Sequence, residues 1–434
     1  MAKGRKAKKE PKKESRKEKM SAGEALVLGD EALDQMYDIS FFDNEVPAMD
    51  TNETIAFINK RANVGKKVKR AVLKRADEAG SPFRLRRPFG IASLDIAIGG
   101  GMPAGGVTQI GAPSGVGKNA LAATAIARCQ YLYGDKARIA LIWTEVPPDK
   151  EHMRINGAVI PSSEEDLYLE NADRERKGLS PLTEDGIFRR RRSVGEILVA
   201  DEGSAEERLQ AAVDLVMANN CQLIVIDSIA AAVSKYRVDT PLEDEPKQSA
   251  EASMLSAFQK LCWNAFCAPS QGRLNFTSMI VINQVRANRS TAKFKREWSV
   301  GGPYAIRHAK LVDITLKPGE RITADGRRVG KVVGWEISKG KAGCHEGPTG
   351  ELPYYYASGF DRYTDLINTC INMEIAIRVG RYYDIVDHNG EVLHSKVSGG
   401  KTALINSVYE DQELFDQLYY ACLAKAEVSC LHHL

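Results

Sequence analysis

From about Phe83 onward, short runs of apolar, largely β-branched residues alternate with longer stretches in which apolar positions recur every three or four residues. The runs VTQIG (107–111), RIALIWT (138–144), CQLIVIDS (221–228) and TSMIVIN (277–283) are short and continuous, and they read as strands. Strands that are apolar throughout are covered on both faces, which predicts a mostly parallel sheet flanked by helices, an α/β fold. The helical stretches lie at 118–133, 204–219 and 247–266. Ahead of this block, Ile55, Ile58, Val64, Val68, Val72 and Leu73 are spaced among Lys60, Arg61, Lys66, Lys67, Lys69, Arg70, Lys74 and Arg75, which predicts a basic helix packed by its apolar stripe. Behind it, from about Glu346, come a helical run (361–378), a hairpin at Asn389-Gly390 and a further helix (409–426), together a small α/β appendage. The Asn-Gly dipeptide supplies the positive φ angles of a tight hairpin. The expected organisation is a tail and linker over 1–50, a helical segment over 51–80, an α/β core over 81–345 and a C-terminal α/β domain over 346–434.

Composition adds little to this until charge is placed along the chain. The 434 residues are 43% hydrophobic and 27% charged, enough for two or three domains with real cores and no general bias toward disorder. No apolar run reaches the roughly 18 residues of a membrane span, and the N-terminus is basic without an apolar stretch behind it, so no membrane partner and no secretory leader are expected. A cytoplasmic protein is expected. The eight cysteines form no C-x-x-C pair and are expected to be reduced and buried, while Cys430, His432 and His433 read as a frayed tail rather than a metal site. Residues 1–20 hold 10 Lys and Arg against 3 Glu, a local net charge of +7 in a chain of net +3. That segment is too poor in apolar residues to fold alone. It is either a solvated solubility or localisation tail or an arm drawn to polyphosphate. Residues 21–50 are acidic with a few hydrophobes, as in a linker or docking peptide.

The chemistry begins at QIGAPSGVGKNAL (109–121). A strand runs into Ala112-Pro113-Ser114-Gly115-Val116-Gly117-Lys118-Asn119, and a helix opens with Ala120-Leu121-Ala122. Glycines in such a loop let successive backbone N–H groups point at phosphates from a helix N-terminus, and the lysine reaches the β and γ oxygens. Residues 112–120 are therefore the expected nucleotide-binding loop. Asn119 stands where such loops place Ser or Thr as a magnesium ligand, but its amide oxygen is also a hard donor that magnesium accepts. The strand CQLIVIDS delivers Asp227 at its C-terminal end, where α/β sheets gather ligands, as a second magnesium ligand. RIALIWT leads to Glu145, suited to polarise an attacking water. TSMIVIN leads to Asn283-Gln284, amides at the same edge and able to sense the γ-phosphate.

Taken in order, FGIASLDIAIGGGMPAGGVTQIGAPS (89–114), the strand ending in Glu145, IVIDSIAAAVSK (224–235) and VINQVR (281–286) resemble the RecA recombinase family, including its phage relatives of the UvsX type. The resemblance runs with gaps from about Ser81 to Leu423, and SGFDRYTDLINTC (358–370) is similar to the C-terminal domain of the bacterial members. It implies a RecA-like P-loop core in a DNA-dependent ATPase. Such proteins use ATP and Mg2+, form helical homo-oligomeric filaments on single-stranded DNA and exchange it with homologous double-stranded DNA in recombination and repair, with single-strand-binding and mediator proteins as further partners. It assigns Lys118 to the phosphates, Asn119 and Asp227 to magnesium, Glu145 as general base and Gln284 as the link between γ-phosphate and DNA. Asp149 matches the residue approaching adenine, and His152 falls at an aromatic that stacks on the base. Lys339 and Lys341, in EISKGKAG, match a pair reaching the neighbouring subunit's nucleotide.

Two segments are expected to bind DNA. The first, 234–249, offers Lys235 and Arg237 amid acidic residues. The second, 286–302, carries Arg286, Arg289, Lys293, Phe294, Lys295, Arg296, Trp298, Gly301 and Gly302 and shows no strand or helix pattern. Cations for phosphates beside aromatics for bases are the chemistry of single-strand binding. Against the family, 162–194 is an insertion ending in four arginines, Arg189 to Arg192, either a duplex-capture patch or a solvated loop. Two other classes remain open: a helicase or motor on the same core, which would lack the segment after Gln284 and the Lys339/Lys341 pair, and a non-hydrolysing DNA-binding paralogue, which Asn119 favours.

Overall fold

Strands with bulky residues on both faces are stable only inside a sheet, and the chain places them there. The structure, a computed structural model, describes residues 51–62, 64, 83, 85–145, 150–160, 168, 171–172, 174–176, 178, 180, 195–239, 250–267, 274–287, 298–300, 310–397 and 399–428. The chain divides into two units, Met1–Ala79 and Gly80–Leu434. In the first, the described element is helix α1 (Thr51–Ala62), which ends on Lys60 and Arg61, the favourable place for cations on a helix dipole. Among the described residues no helix is long and apolar enough to cross a membrane.

The second unit opens with β1 (Arg86–Arg87) and β2 (Met102–Pro103), antiparallel partners on either side of α2 (Ala92–Ala97). There follow β3 (Gly106–Ala112), α3 (Lys118–Tyr133), β4 (Arg138–Trp143), α4 (Lys150–Ile155), β5 (Glu196–Ala200), α5 (Ala205–Ala218), β6 (Leu223–Asp227), α6 (Lys235–Asp239), α7 (Ala250–Cys267), β7 (Ser278–Ala287) and β8 (Trp298–Val300). The core closes with β9 (Lys310–Ala324), β10 (Arg327–Gly340), β11 (Thr349–Tyr355) and β12 (Gly359–Phe360). These strands form one ten-stranded sheet in the order β12-β11-β10-β9-β3-β7-β6-β4-β5, with β8 on β7. Every pairing from β9 to β5 is parallel, and β9 through β12 are antiparallel. The fold class expected from the hydrophobic pattern is the one observed.

Strand periodicity divides the core between the two faces. Ile139 and Leu141, Leu223 and Val225, and Ile280 and Ile282 point to the side of α3. Their neighbours Ala140 and Ile142, Ile224 and Ile226, and Met279 and Val281 pack under α5 and α7 with Leu209, Val213 and Phe258. Each Val, Leu, Ile, Met or Phe among them contributes about 1.5–3 kcal/mol on burial. α5 starts on a capping box in which Ser204 and Glu207 satisfy each other's backbone N–H.

The C-terminal segment differs from the periodicity reading in detail. Thr349–Tyr355 and Gly359–Phe360 extend the central sheet through β10 instead of joining the appendage. The helix expected over 361–378 is α8 (Arg362–Asn372), stopped by Glu374 at φ 55 before β13 (Ala376–Val379). The hairpin of β14 (Tyr382–Val386) and β15 (Val392–Val397) turns over Asp387 to Glu391. Only Gly390 there has positive φ, because the Asp387 carboxylate, accepting from the N–H groups of Asn389 and Glu391, holds a longer loop than a two-residue turn. The last helical stretch is two helices, α9 (Lys401–Glu410) and α10 (Gln412–Lys425), divided by Asp411, whose carboxylate accepts from the Glu413 and Leu414 N–H groups. Their core, with Leu366, Cys370, Leu404, Phe415, Leu418 and Tyr419, is seated on Ala92 and Ile96 of α2. Ser93 N–H donates to Asp365 (3.0 Å), Tyr419 Oη to Asp95 Oδ2 (2.8 Å), and Arg128 on α3 pairs with Asp416 (3.1 Å).

Candidate nucleotide-binding site

β3 and α3 are joined by the glycine loop. Gly115 and Gly117 take φ +71° and +134°, left-handed values that favour glycine, and a Cβ on Gly117 would meet Phe360 Cζ at 3.4 Å. Gly117 is the N-cap of α3, so the first-turn N–H groups of Lys118, Asn119 and Ala120 lack partners earlier in the helix and, with its dipole, favour an anion. Val116 and Ala120 are buried in the core and anchor the loop, while Ser114 and Gly115 are exposed. Lys118 is buried, and its Nζ donates to the carbonyls of Ala112 (3.2 Å) and Pro113 (3.1 Å).

Because β3, β7, β6 and β4 are parallel neighbours, whatever follows their last residues collects at one edge. Trp143 is in register with Asp227, and the Thr144 N–H donates to the Asp227 carbonyl (2.9 Å). Asn119 Nδ2 donates to Asp227 Oδ2 at 2.6 Å. Ser228 Oγ donates to Glu145 Oε2 (3.1 Å) and Gln284 Nε2 to Glu145 Oε1 (3.4 Å). Burial, and then the nearby Glu145 charge, push the Asp227 carboxyl up to about 6, against the pull of Lys118. Burial likewise lowers Lys118, opposed by Asp227 and Glu145. The cluster thus couples one ammonium to two carboxylates at the mouth of the glycine loop. A side-chain amide can turn its oxygen where its nitrogen stood, so Asn119 and Asp227 together present hard oxygen donors of the kind magnesium takes alongside water. His152, on α4, lines a cavity of about 40 Å³ with Asn119, Trp143 and Asp227. Asp149 lies outside the described residues.

Three contacts here escaped sequence reasoning. Ser228 holds Glu145, Thr144 Oγ1 donates to the Ser228 carbonyl, and Lys331 Nζ on β10 donates to the Gly115 carbonyl. A hydroxyl beside Asp227 was the only signal for the first, and the chain held none for the last.

Lys339 and Lys341 stand elsewhere, at the end of β10. Lys339 is in register with Asp313, and the Lys341 N–H donates to the Leu311 carbonyl (2.8 Å). Burial lowers Lys339, as do the neighbouring Lys341 and Lys310. Lys235 and Arg237 are exposed on the short helix α6, and the Lys235 N–H donates to Glu206. Arg286 and Trp298 lie on strands, since β7 and β8 pair antiparallel with Arg286 opposite Ser299 and Ala287 opposite Trp298. Among the described residues, part of the segment expected to lack strand pattern therefore pairs as a short ladder. Arg289, Lys293, Phe294, Lys295, Arg296, Gly301 and Gly302 lie outside the described residues, as do Arg189 to Arg192 and the tail over 1–50.

No family model matches the chain. It is 24% identical over 341 residues to the protein RecA of Petrotoga mobilis, covering 78% of this chain and 79% of that one. It is 27% identical over 326 residues to the protein RecA of Leptospira biflexa, covering 75% and 70%, and 27% over 342 residues to that of Thermus aquaticus, covering 78% and 85%.

Proposed function

The chain belongs to the RecA-like recombinase family, and from that premise we propose that it is a DNA-dependent ATPase that forms a helical filament on single-stranded DNA and exchanges the strand with a homologous duplex. The observation that carries this reading is the joining of Asn119 to Asp227 and of Gln284 to Glu145 around the buried Lys118. Lys118 supplies positive charge to the phosphates, which lie against the first-turn N–H groups of α3. Asn119 and Asp227 would hold magnesium, which when bound neutralises charge on the phosphate oxygens. Glu145 takes the proton of the attacking water. Its carboxylate is held by Ser228 and Gln284, so its direction depends on β7, the strand that runs on into the β7–β8 ladder. Cations and aromatics of that ladder and its connection hold the single strand. A strand displaced by DNA then reorients the base, which makes turnover DNA-dependent. Lys339 and Lys341 reach the nucleotide of the next subunit.

The amide of Asn119, standing where such loops carry a hydroxyl, favours one second reading, a paralogue that binds nucleotide without hydrolysing it. ATP hydrolysis with and without single-stranded DNA, alongside strand exchange, separates the two for wild type, Lys118→Ala and Asn119→Thr. We expect DNA-stimulated turnover in wild type and none in Lys118→Ala. A silent wild type whose activity appears only in Asn119→Thr would establish the paralogue.

A further inference from the structure

The antiparallel half of the central sheet carries a cationic ridge that ends on the phosphate loop. Lys331, half-buried on β10, donates from Nζ to the carbonyl of Gly115, the exposed apex of the loop. The same ammonium group lies 5.4 Å from the centre of the Tyr354 ring, its register partner on β11. On its other side Lys331 is in register with Arg321 of β9, and Arg328 sits 5.7 Å over the Tyr356 ring. Like charges directly opposite on a sheet are destabilising. Among the described residues none of Arg321, Arg328 and Lys331 has a carboxylate within ion-pair distance. Burial and the Arg328 charge accordingly lower Lys331. The chain thus maintains an uncompensated positive cluster at one place, against the outer face of a loop whose inner face receives phosphates. An anion bound at the loop would offset that cost.

We infer that Lys331 is a positioning residue of the nucleotide site, which fixes the loop apex through the Gly115 carbonyl and adds positive charge for a nucleoside di- or triphosphate. The two lysines divide the work by location. Lys118 holds the base of the loop at Ala112 and Pro113, while Lys331 holds its tip from a strand 216 residues further along the chain. A cation at the tip raises phosphate affinity in proportion to phosphate charge. A tether alone would act independently of salt.

The inference rests on the nucleotide reading above, so its test begins with binding and not with turnover. Fluorescent ADP and ATP analogues are titrated, without DNA, into wild type, Lys331→Gln and Lys331→Arg at about 50 and about 200 mM salt. Gln keeps a donor for the Gly115 carbonyl and loses the charge; Arg keeps both. Lys331→Gln is expected to bind about tenfold more weakly at the lower salt, the size of one charge a few ångströms from a polyanion near a protein surface. Its loss should be larger for ATP than for ADP and smaller at the higher salt, and Lys331→Arg should stay near wild type. Thermal midpoints of the unliganded proteins confirm that each variant is folded. Wild-type affinity in a folded Lys331→Gln, or an equal loss at both salt concentrations, would overturn the role of the charge. Failure of the wild type itself to bind either nucleotide would instead overturn the nucleotide reading.

Discussion

Removing one hydroxyl, in Tyr419→Phe, should destabilise the protein by an amount that depends on pH in a stated direction. Tyr419 Oη donates to Asp95 Oδ2 at 2.8 Å, and the fully buried Asp95 carboxylate also accepts from the N–H groups of Phe89 (2.8 Å), Gly90 (2.8 Å) and Ile91 (3.0 Å). Burial still pushes this carboxyl up to about 6 from 3.8, and each of the four bonds pulls it back down. Because the folded value is raised, stability from this group is fully present below the unfolded value of 3.8 and is lost as pH rises through about 6. The Tyr419 bond matters most in the upper range, where the buried group is ionised. A hydrogen bond to a charged group is worth about 1.5–3 kcal/mol and one between neutral groups about 1 kcal/mol. The penalty of Tyr419→Phe is then about 2 kcal/mol near pH 7.5 and about 1 kcal/mol near pH 5. At roughly 2.1 cal/mol/K of unfolding entropy per residue across the second unit, these become midpoint shifts of about 3 °C and about 1.5 °C. Scanning calorimetry of wild type and variant at both pH values measures the difference directly. A shift equal at the two pH values, or larger at the lower one, would show that the hydroxyl does not serve the ionised form.

Two further outcomes follow from the site. Glu145→Gln should keep nucleotide affinity and lose turnover by about 10²–10⁴-fold, the usual contribution of a positioned base, measured by parallel binding and hydrolysis assays. Gln284→Ala should bind single-stranded DNA as wild type does but show no stimulation of hydrolysis by it; retained stimulation would separate Gln284 from the coupling of strand β7 to Glu145.

The parallel half of the sheet was legible because β3, β4, β6 and β7 are built on short, largely apolar runs, and polar residues interrupt the chain at or soon after the ends of those runs. That same break selected Lys118, Asn119, Glu145, Asp227 and Gln284, which the structure brings into one cluster. β5 was missed because its five residues, EILVA, form a single short edge strand flanked by polar residues and too short to show a period. β9 and β10 were missed because charged, exposed residues and register shifts interrupt their alternation. Lys331 could not have been picked out, since its contact with Gly115 arises from sheet order and no spacing in the chain encodes it. The long loop after Gln284 concealed a ladder because hairpin pairing depends on backbone bonds that polar, basic sequence does not announce.

Arg128 sets a limit on how far this chain can be trimmed. It is among the largest fully buried side chains of the described residues, it projects from the same helix that opens on the glycine loop, and beside Tyr131 on that helix its partners Asp416, Tyr419 and Tyr420 belong to α10. A version cut back to the central sheet would take from Arg128 its carboxylate and two tyrosines together, and would uncover the apolar residues of α2 that pack in the C-terminal core. A shortened version of this sequence therefore has to carry α10 with it.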